Sequence, residues 1–190
     1  MPSHYMRREF LENEAVQTSD NTTYTLDLPE SGYLTALMLK LRATNGTTSN
    51  LNAAIKDALT RVEVIGNGST VIFSLTGNEL DRYTWRWFKQ RGAEFLSEDL
   101  SVVQFQTFLI PFGRAIGDKK FCLDLSKWNN IQLRIQYNLA TVNAVGATGF
   151  ATGTFSVTVV GYRYPQGAGL SPMGYIKTSE IVQPTDAASG

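Results

Sequence analysis

From residue 22 to residue 164 the chain is written mainly in a two-residue rhythm. In residues 22–28, Tyr24, Leu26 and Leu28 alternate with Thr23, Thr25 and Asp27, the period of a strand with one buried face. After the turn Pro29-Glu30-Ser31-Gly32, residues 33–43 set Leu37, Leu39 and Leu41 against Met38, Lys40 and Arg42. Residues 61–65 and 71–75 flank Gly66-Asn67-Gly68-Ser69. Asn-Gly there predicts a hairpin, because both residues tolerate positive φ. Further strands are read at 102–110, 131–139 and 154–164. Alternation assigns to the core Leu26, Leu28, Leu37, Leu39, Leu41, Val62, Val64, Phe73, Leu75, Phe105, Leu109, Ile131, Leu133, Ile135, Tyr137, Phe155, Val157 and Val159.

Two stretches change period. Leu51, Ile55 and Leu59 recur at i, i+4 and i+8 behind Asn50, a candidate N-cap, and predict a short helix. Residues 78–91 predict a second, with Leu80, Thr84, Trp87 and Phe88 on one face and Arg82, Arg86 and Lys89 on the other, ended by Gly92. Residues 44–50 and 140–153 read as loops. The expected fold is all-β: a jelly-roll barrel or sandwich of about eight antiparallel strands with two short helical inserts. Residues 1–20 read as an N-terminal arm or short helix, 21–164 as the jelly-roll domain, and the Pro- and Gly-punctuated 165–190 as a linker or C-terminal tail.

Composition removes more functions than it suggests. The chain has 190 residues, 43 % of them hydrophobic, enough for one ordinary core. Seventeen basic and seventeen acidic residues cancel, so there is no global attraction to nucleic acid or anionic membrane. No apolar run approaches the roughly 20 residues of a membrane-spanning helix. The stretch from Met1 to Arg8 lacks an apolar core, so no signal peptide is expected. The sequons at Asn21, Asn45 and Asn67 are read as chance triplets in an Asn- and Thr-rich chain.

A metal-dependent jelly-roll enzyme needs several imidazoles with a carboxylate, and His4 is the only histidine. Cys122 and His4 show no spacing that suggests a nucleophile and its base, and Cys122 reads as a small buried thiol. Glu79 and Asp81 fit a helix first turn, where they complement the macrodipole; Glu98 and Asp99 fit a loop. Neither pair signals general acid–base work. No catalytic, cofactor-binding or metal-ligating residue is assigned, and no enzymatic activity is expected. Trp85, Trp87 and Phe88 among Arg82, Arg86, Lys89 and Arg91 have the composition of a single-strand nucleic-acid platform. At helical spacing, core packing plus a subunit contact is the favoured reading, and no specific nucleic-acid partner is expected.

The run Phe108-Leu109-Ile110-Pro111-Phe112-Gly113-Arg114, a polar loop, Leu123-Asp124-Leu125-Ser126-Lys127-Trp128-Asn129-Asn130 and the strand that follows resemble viral major capsid proteins of the double jelly-roll lineage, the adenovirus-like and tailless-phage shells. The order of elements from 22 to 164 is similar, and Gly174-Tyr175-Ile176-Lys177-Thr178-Ser179-Glu180-Ile181 resembles the bridge from a first barrel to a second. The resemblance implies a structural subunit of an icosahedral capsid, found in the virion and made in the host cytoplasm. It implies as partners other copies of the chain in pseudo-hexagonal trimers, neighbouring capsid proteins and, as an open alternative, an internal membrane. Arg7, Arg8, Trp85, Tyr175 and Ile176 are the expected assembly contacts. The alternative function is a carbohydrate-binding jelly-roll module, such as a spike or host-attachment domain, using Trp85 or Trp128.

Overall fold

The computed structural model describes residues 5–47, 53–89, 92–142 and 149–180. In chain order the strands are β1 (Arg7–Val16), β2 (Asn21–Asp27), β3 (Tyr33–Thr44), β4 (Leu59–Gly66), β5 (Thr70–Leu75), β6 (Glu94–Phe95), β7 (Val103–Pro111), β8 (Leu123–Asp124), β9 (Ile131–Asn138), β10 (Ser156–Tyr164) and β11 (Thr178–Ser179). Helix α1 (Ile55–Ala58) precedes β4, and α2 (Gly77–Phe88) follows β5. One sheet runs β1-β10-β3-β7-β6 with β8 also on β3; the other runs β11-β5-β4-β9-β2. With the two-residue strands β6, β8 and β11 set aside, eight long strands remain, and their pairings are antiparallel. Successive long strands mostly change sheet, which is the double Greek key of a jelly roll.

The sheets enclose one apolar core. Leu37, Leu39 and Leu41 of β3 and Val157 and Val159 of β10 meet Val62 and Val64 of β4 and Leu133 and Ile135 of β9. Tyr137 lies 4.2 Å from Phe155, ring centre to ring centre. The β4–β5 hairpin turns as its sequence predicts, with Asn67 at φ 52° and Gly68 at φ 76°. Gly66 is required for another reason: a Cβ there would stand 2.2 Å from the Trp128 ring.

Four readings need correction. Residues Arg7–Val16 form β1, a full strand on β10, not an arm or short helix. Its alternation is broken by register shifts between Phe10 and Glu12 and between Glu12 and Ala15. Strand β7 turns its other face inward: Gln104, Gln106, Phe108 and Ile110 point into the barrel, while Phe105 is half-buried on the outside. Leu109 is buried, but opposite Met38 on the outer face. Leu59 opens β4 instead of closing a helix, and α1 is a single turn from Ile55, because Asp57 accepts the Ala54 N–H at 3.2 Å and fixes the start there. Asn50 lies outside the described residues. Helix α2 starts one residue early, from Thr76, whose hydroxyl accepts the Glu79 N–H at 3.4 Å while Glu79 accepts the Thr76 N–H at 2.8 Å. That reciprocal cap satisfies two free donors. The helix ends at Lys89 in the left-handed conformation, φ 57°, before Gly92 is reached.

Candidate assembly surfaces

Edge strand β1 carries Arg7 and Arg8, both exposed. The Arg7 guanidinium donates to the Tyr5 hydroxyl at 2.8 Å and lies over its ring. Three β1 carboxylates are engaged: Glu9 pairs with Arg163, Glu14 with Arg42, and Glu12 accepts the Tyr24 hydroxyl at 3.0 Å. An open edge studded with charge resists unplanned strand addition.

Helix α2 places Trp85 outward, 57 % exposed, on the same side as exposed Arg82, Arg86 and Lys89. Its inner side is Leu80 and Thr84, with Tyr83 edge-on to Phe73 and Trp87 against Tyr83. The Thr84 hydroxyl accepts the Leu109 N–H at 3.1 Å and so closes the free edge of β7.

Tyr175 and Ile176 sit together on a segment laid along the barrel. Tyr175 meets Trp128 edge-to-face at 6.1 Å, and the Ile176 N–H donates to the Phe112 carbonyl at 2.8 Å. Two further ties precede them: Met173 N–H to Lys120 and Cys122 N–H to Gly174. Beyond them, β11 adds in parallel to β5, and Arg61 pairs with Glu180. The five expected contacts therefore occupy three separate elements. Trp128 is half-buried between Gly66 and Tyr175.

His4 lies outside the described residues; Cys122 is buried, and burial first, then the charges of Asp118 and Asp124, push its thiol up to about 11. Among the described residues no three His, Cys, Asp or Glu side chains converge as a metal site, and no helix is long and apolar enough to cross a membrane. Asn45 is fully buried, which removes its sequon from any surface role. In the loop after β7, Asp118 accepts from the Arg114 side chain and from the N–H groups of Arg114, Lys120 and Phe121. The Arg114 guanidinium, reinforced by those N–H groups, holds the carboxyl well below the usual range.

One constellation escaped the sequence reading. Gln104, Gln106 and Asn45 are buried at one end of the barrel. Gln104 Nε2 donates to Asn45 Oδ1 at 2.6 Å and to the Ser97 carbonyl at 2.9 Å; Gln106 Oε1 accepts the Lys56 N–H at 2.8 Å. The available signal was the spacing of two glutamines at 104 and 106, in step with Phe108 and Ile110.

The sequence matches no protein-family model and no curated protein. Solved structures do match. The major capsid protein of Sulfolobus turreted icosahedral virus superposes with TM-score 0.64 at 13 % identity, over 85 % of this chain and 49 % of that one. The fold is a jelly roll, shared with that capsid protein. The major capsid protein P2 of bacteriophage PM2 gives TM-score 0.55 at 10 % identity, over 85 % of this chain and 51 % of its own. VP54 of the virus PBCV-1 gives 0.58 at 13 %, over 88 % and 46 %. The chain thus spans about half the length of these capsid proteins.

Proposed function

We propose that this chain is a jelly-roll unit of a structural capsid subunit of an icosahedral virus, acting through self-association and not through catalysis. The observation that carries the reading is the jelly-roll fold, which superposes over 85–88 % of the chain on three viral capsid proteins. It resides in the virion and is made in the host cytoplasm. Its half-length match suits one barrel of a two-barrel subunit, the first, with residues 165–180 leading towards the second. Trimers of pseudo-hexagonal outline are the assembly state, with neighbouring capsid proteins as further contacts.

Two faces suit such contacts: β1 with Arg7 and Arg8, and the α2 face with Trp85. Tyr175 and Ile176 would set the departure angle of the following chain, since both are fastened to the barrel. The test is to express the full reading frame and measure mass in solution by light scattering, then image the product by cryo-electron microscopy. A trimer with six barrels around its axis is expected. A protein that remains monomeric at all concentrations and forms no shell overturns the proposal.

A further inference from the structure

Each sheet has two outer long strands, β1 and β7 in one and β5 and β2 in the other. Three of the four are guarded. Strand β5 carries β11 along Phe73 and Ser74. Strand β7 carries β6, and the Thr84 hydroxyl takes the Leu109 N–H. Strand β1 is charged, broken by two register shifts and bent by Glu14 at φ 50°, features that discourage pairing. Strand β2 has none of these. We propose that β2 is a docking edge, which pairs antiparallel about a two-fold axis with β2 of a second copy of this chain.

Which backbone groups face outward follows from the register. The Leu28 N–H donates to the Ile131 carbonyl and the Leu139 N–H to the Asp20 carbonyl, both at 2.8 Å. The even-numbered residues therefore exchange bonds with β9, while Asn21, Thr23, Thr25 and Asp27 turn their N–H and C=O groups to the open side. Among the described residues that side gives them one partner, the Ser19 hydroxyl on the Asn21 carbonyl at 3.2 Å. All four residues are exposed. The strand pairs with β9 in unbroken register, and its sequence, Asn-Thr-Thr-Tyr-Thr-Leu-Asp, holds no Lys, Arg or Pro. Its threonines and tyrosine favour the extended conformation that a further strand requires.

The strand is its own complement. Full antiparallel overlap of Asn21–Asp27 with a second copy centres on Tyr24 and sets Asn21 opposite Asp27 and Thr23 opposite Thr25. Those are the four outward-bonding residues, so each pair exchanges two backbone hydrogen bonds. An amide donor meets a carboxylate at both ends, and threonine pairs are favourable across strands. Gln132 holds Asp27 in place by donating to its Oδ1 at 2.8 Å, which leaves Oδ2 for the second copy. Other registers lose the match. A shift of two residues sets Asp27 against Thr23 and Asn21 against Pro29, or Asn21 against Thr25 and Asp27 against Ser19. A shift of one sets open groups against groups already bonded to β9. On the inner face, Thr22 of the second copy falls opposite Leu26, which the barrel leaves partly exposed. Such an isologous contact closes on itself and leaves three-fold contacts to other faces.

The test follows amide hydrogen exchange and sedimentation of the full chain between about 10 μM and about 1 mM. In dilute solution the Thr23, Thr25 and Asp27 amides should exchange freely. In concentrated solution, as dimers form, they should slow by about tenfold, while the β1 amides stay unchanged. Thr25→Pro deletes an edge donor that the barrel does not use, at a kind of site where strands accept proline, and should abolish the dimer. Asn21 tests the register: Asn21→Lys, facing Asp27, should tighten the dimer about threefold, and Asn21→Asp should weaken it about threefold. If Thr25→Pro unfolds, the Asn21 pair decides alone. The inference is overturned by β2 amides that stay free at about 1 mM, or by protection on β1 instead. A folded Thr25→Pro that still dimerises overturns it, as do Asn21 variants that fail to move affinity in opposite directions. Trimers or shells that form with the β2 amides still free overturn this inference and leave the capsid reading standing; two-fold dimers that never build a shell do the reverse.

Discussion

Strands β9 and β7 have nearly the same length but solve burial differently. Strand β9 turns Ile131, Leu133, Ile135 and Tyr137 into the barrel and keeps Gln132, Arg134, Gln136 and Asn138 half-exposed on the other side. Strand β7 turns in Gln104 and Gln106, then Phe108 and Ile110, while its outer face carries Phe105 and a buried Leu109. The difference lies in what each strand must satisfy. Strand β9 is flanked along its length by β2 and β4, and its inner face is apolar but for the Tyr137 hydroxyl, which donates to the Ser19 carbonyl at 2.7 Å. Strand β7 is paired with β3 along one edge and with only two residues of β6 on the other. Its inner side must therefore anchor the incoming loops by side-chain hydrogen bonds, since no further strand does so with its backbone.

The comparison breaks most sharply on paired core truncations. Phe108→Ala in β7 and Leu133→Ala in β9 should cost about 3–5 and 2–5 kcal/mol, from lost transfer energy and the cavity left behind. Urea denaturation of each variant measures this. If Phe108→Ala unfolds like the wild type, the inner face of β7 is not the one described.

The next test concerns the glutamines. Gln104→Leu is apolar and similar in size, so a purely hydrophobic inner face predicts no loss or a gain. The hydrogen bonds predict a net loss of about 1 kcal/mol, because Asn45 Oδ1 and the Ser97 carbonyl lose a buried donor while removal of the unpartnered Gln104 Oε1 offsets part of the cost. The same substitution at Gln132, on the outer face of β9, should change stability by less than about 0.5 kcal/mol.

These two strands also explain how far the sequence could be read. Where the inner face is apolar and the outer polar, as in β3, β9 and β10, alternation alone places Leu37, Ile135 and Val157 correctly. In β7 the parity inverts, because Phe105 and Leu109 look like core while Gln104 and Gln106 look like surface. In β1 two register shifts and Glu14 at φ 50° scatter Phe10, Leu11 and Val16 out of step, so a whole strand looked like an arm. The stretch 165–180 is fastened mainly through backbone hydrogen bonds to loops, and backbone bonds leave no mark on side-chain pattern. The glutamine network was unreadable for a related reason: its parts come from 45, 56, 97 and 104–106, and only folding brings them together.

The loop leaving β7 supplies a pH-dependent test. Asp118 has its carboxyl held low in the folded state, chiefly by Arg114, while the unfolded chain keeps an ordinary pKa near 3.9. A lowered folded pKa contributes stability that is complete above the unfolded value and lost as pH falls through the folded one. Wild type should therefore be more stable than Asp118→Asn at pH 7. The gap should begin to close below about pH 4 and narrow further at stronger acid. Thermal melts across that range decide it; a gap independent of pH would mean the loop depends on the shape of the side chain and not its charge.

The smallest effect separates the two faces of β7 themselves. Phe105 lies outside the barrel, its ring 6.5 Å from Phe95 and beneath the Lys40 ammonium at 4.9 Å. These contacts are partly solvated, and an aromatic pair of this kind is worth about 0.5–1.5 kcal/mol. Phe105→Ala should accordingly cost about 1 kcal/mol, well short of Phe108→Ala three residues further on, although both remove the same side chain. Equal losses would make the outer face a second core, covered by something other than solvent. A small loss keeps Phe95, Phe105 and Lys40 as solvated surface.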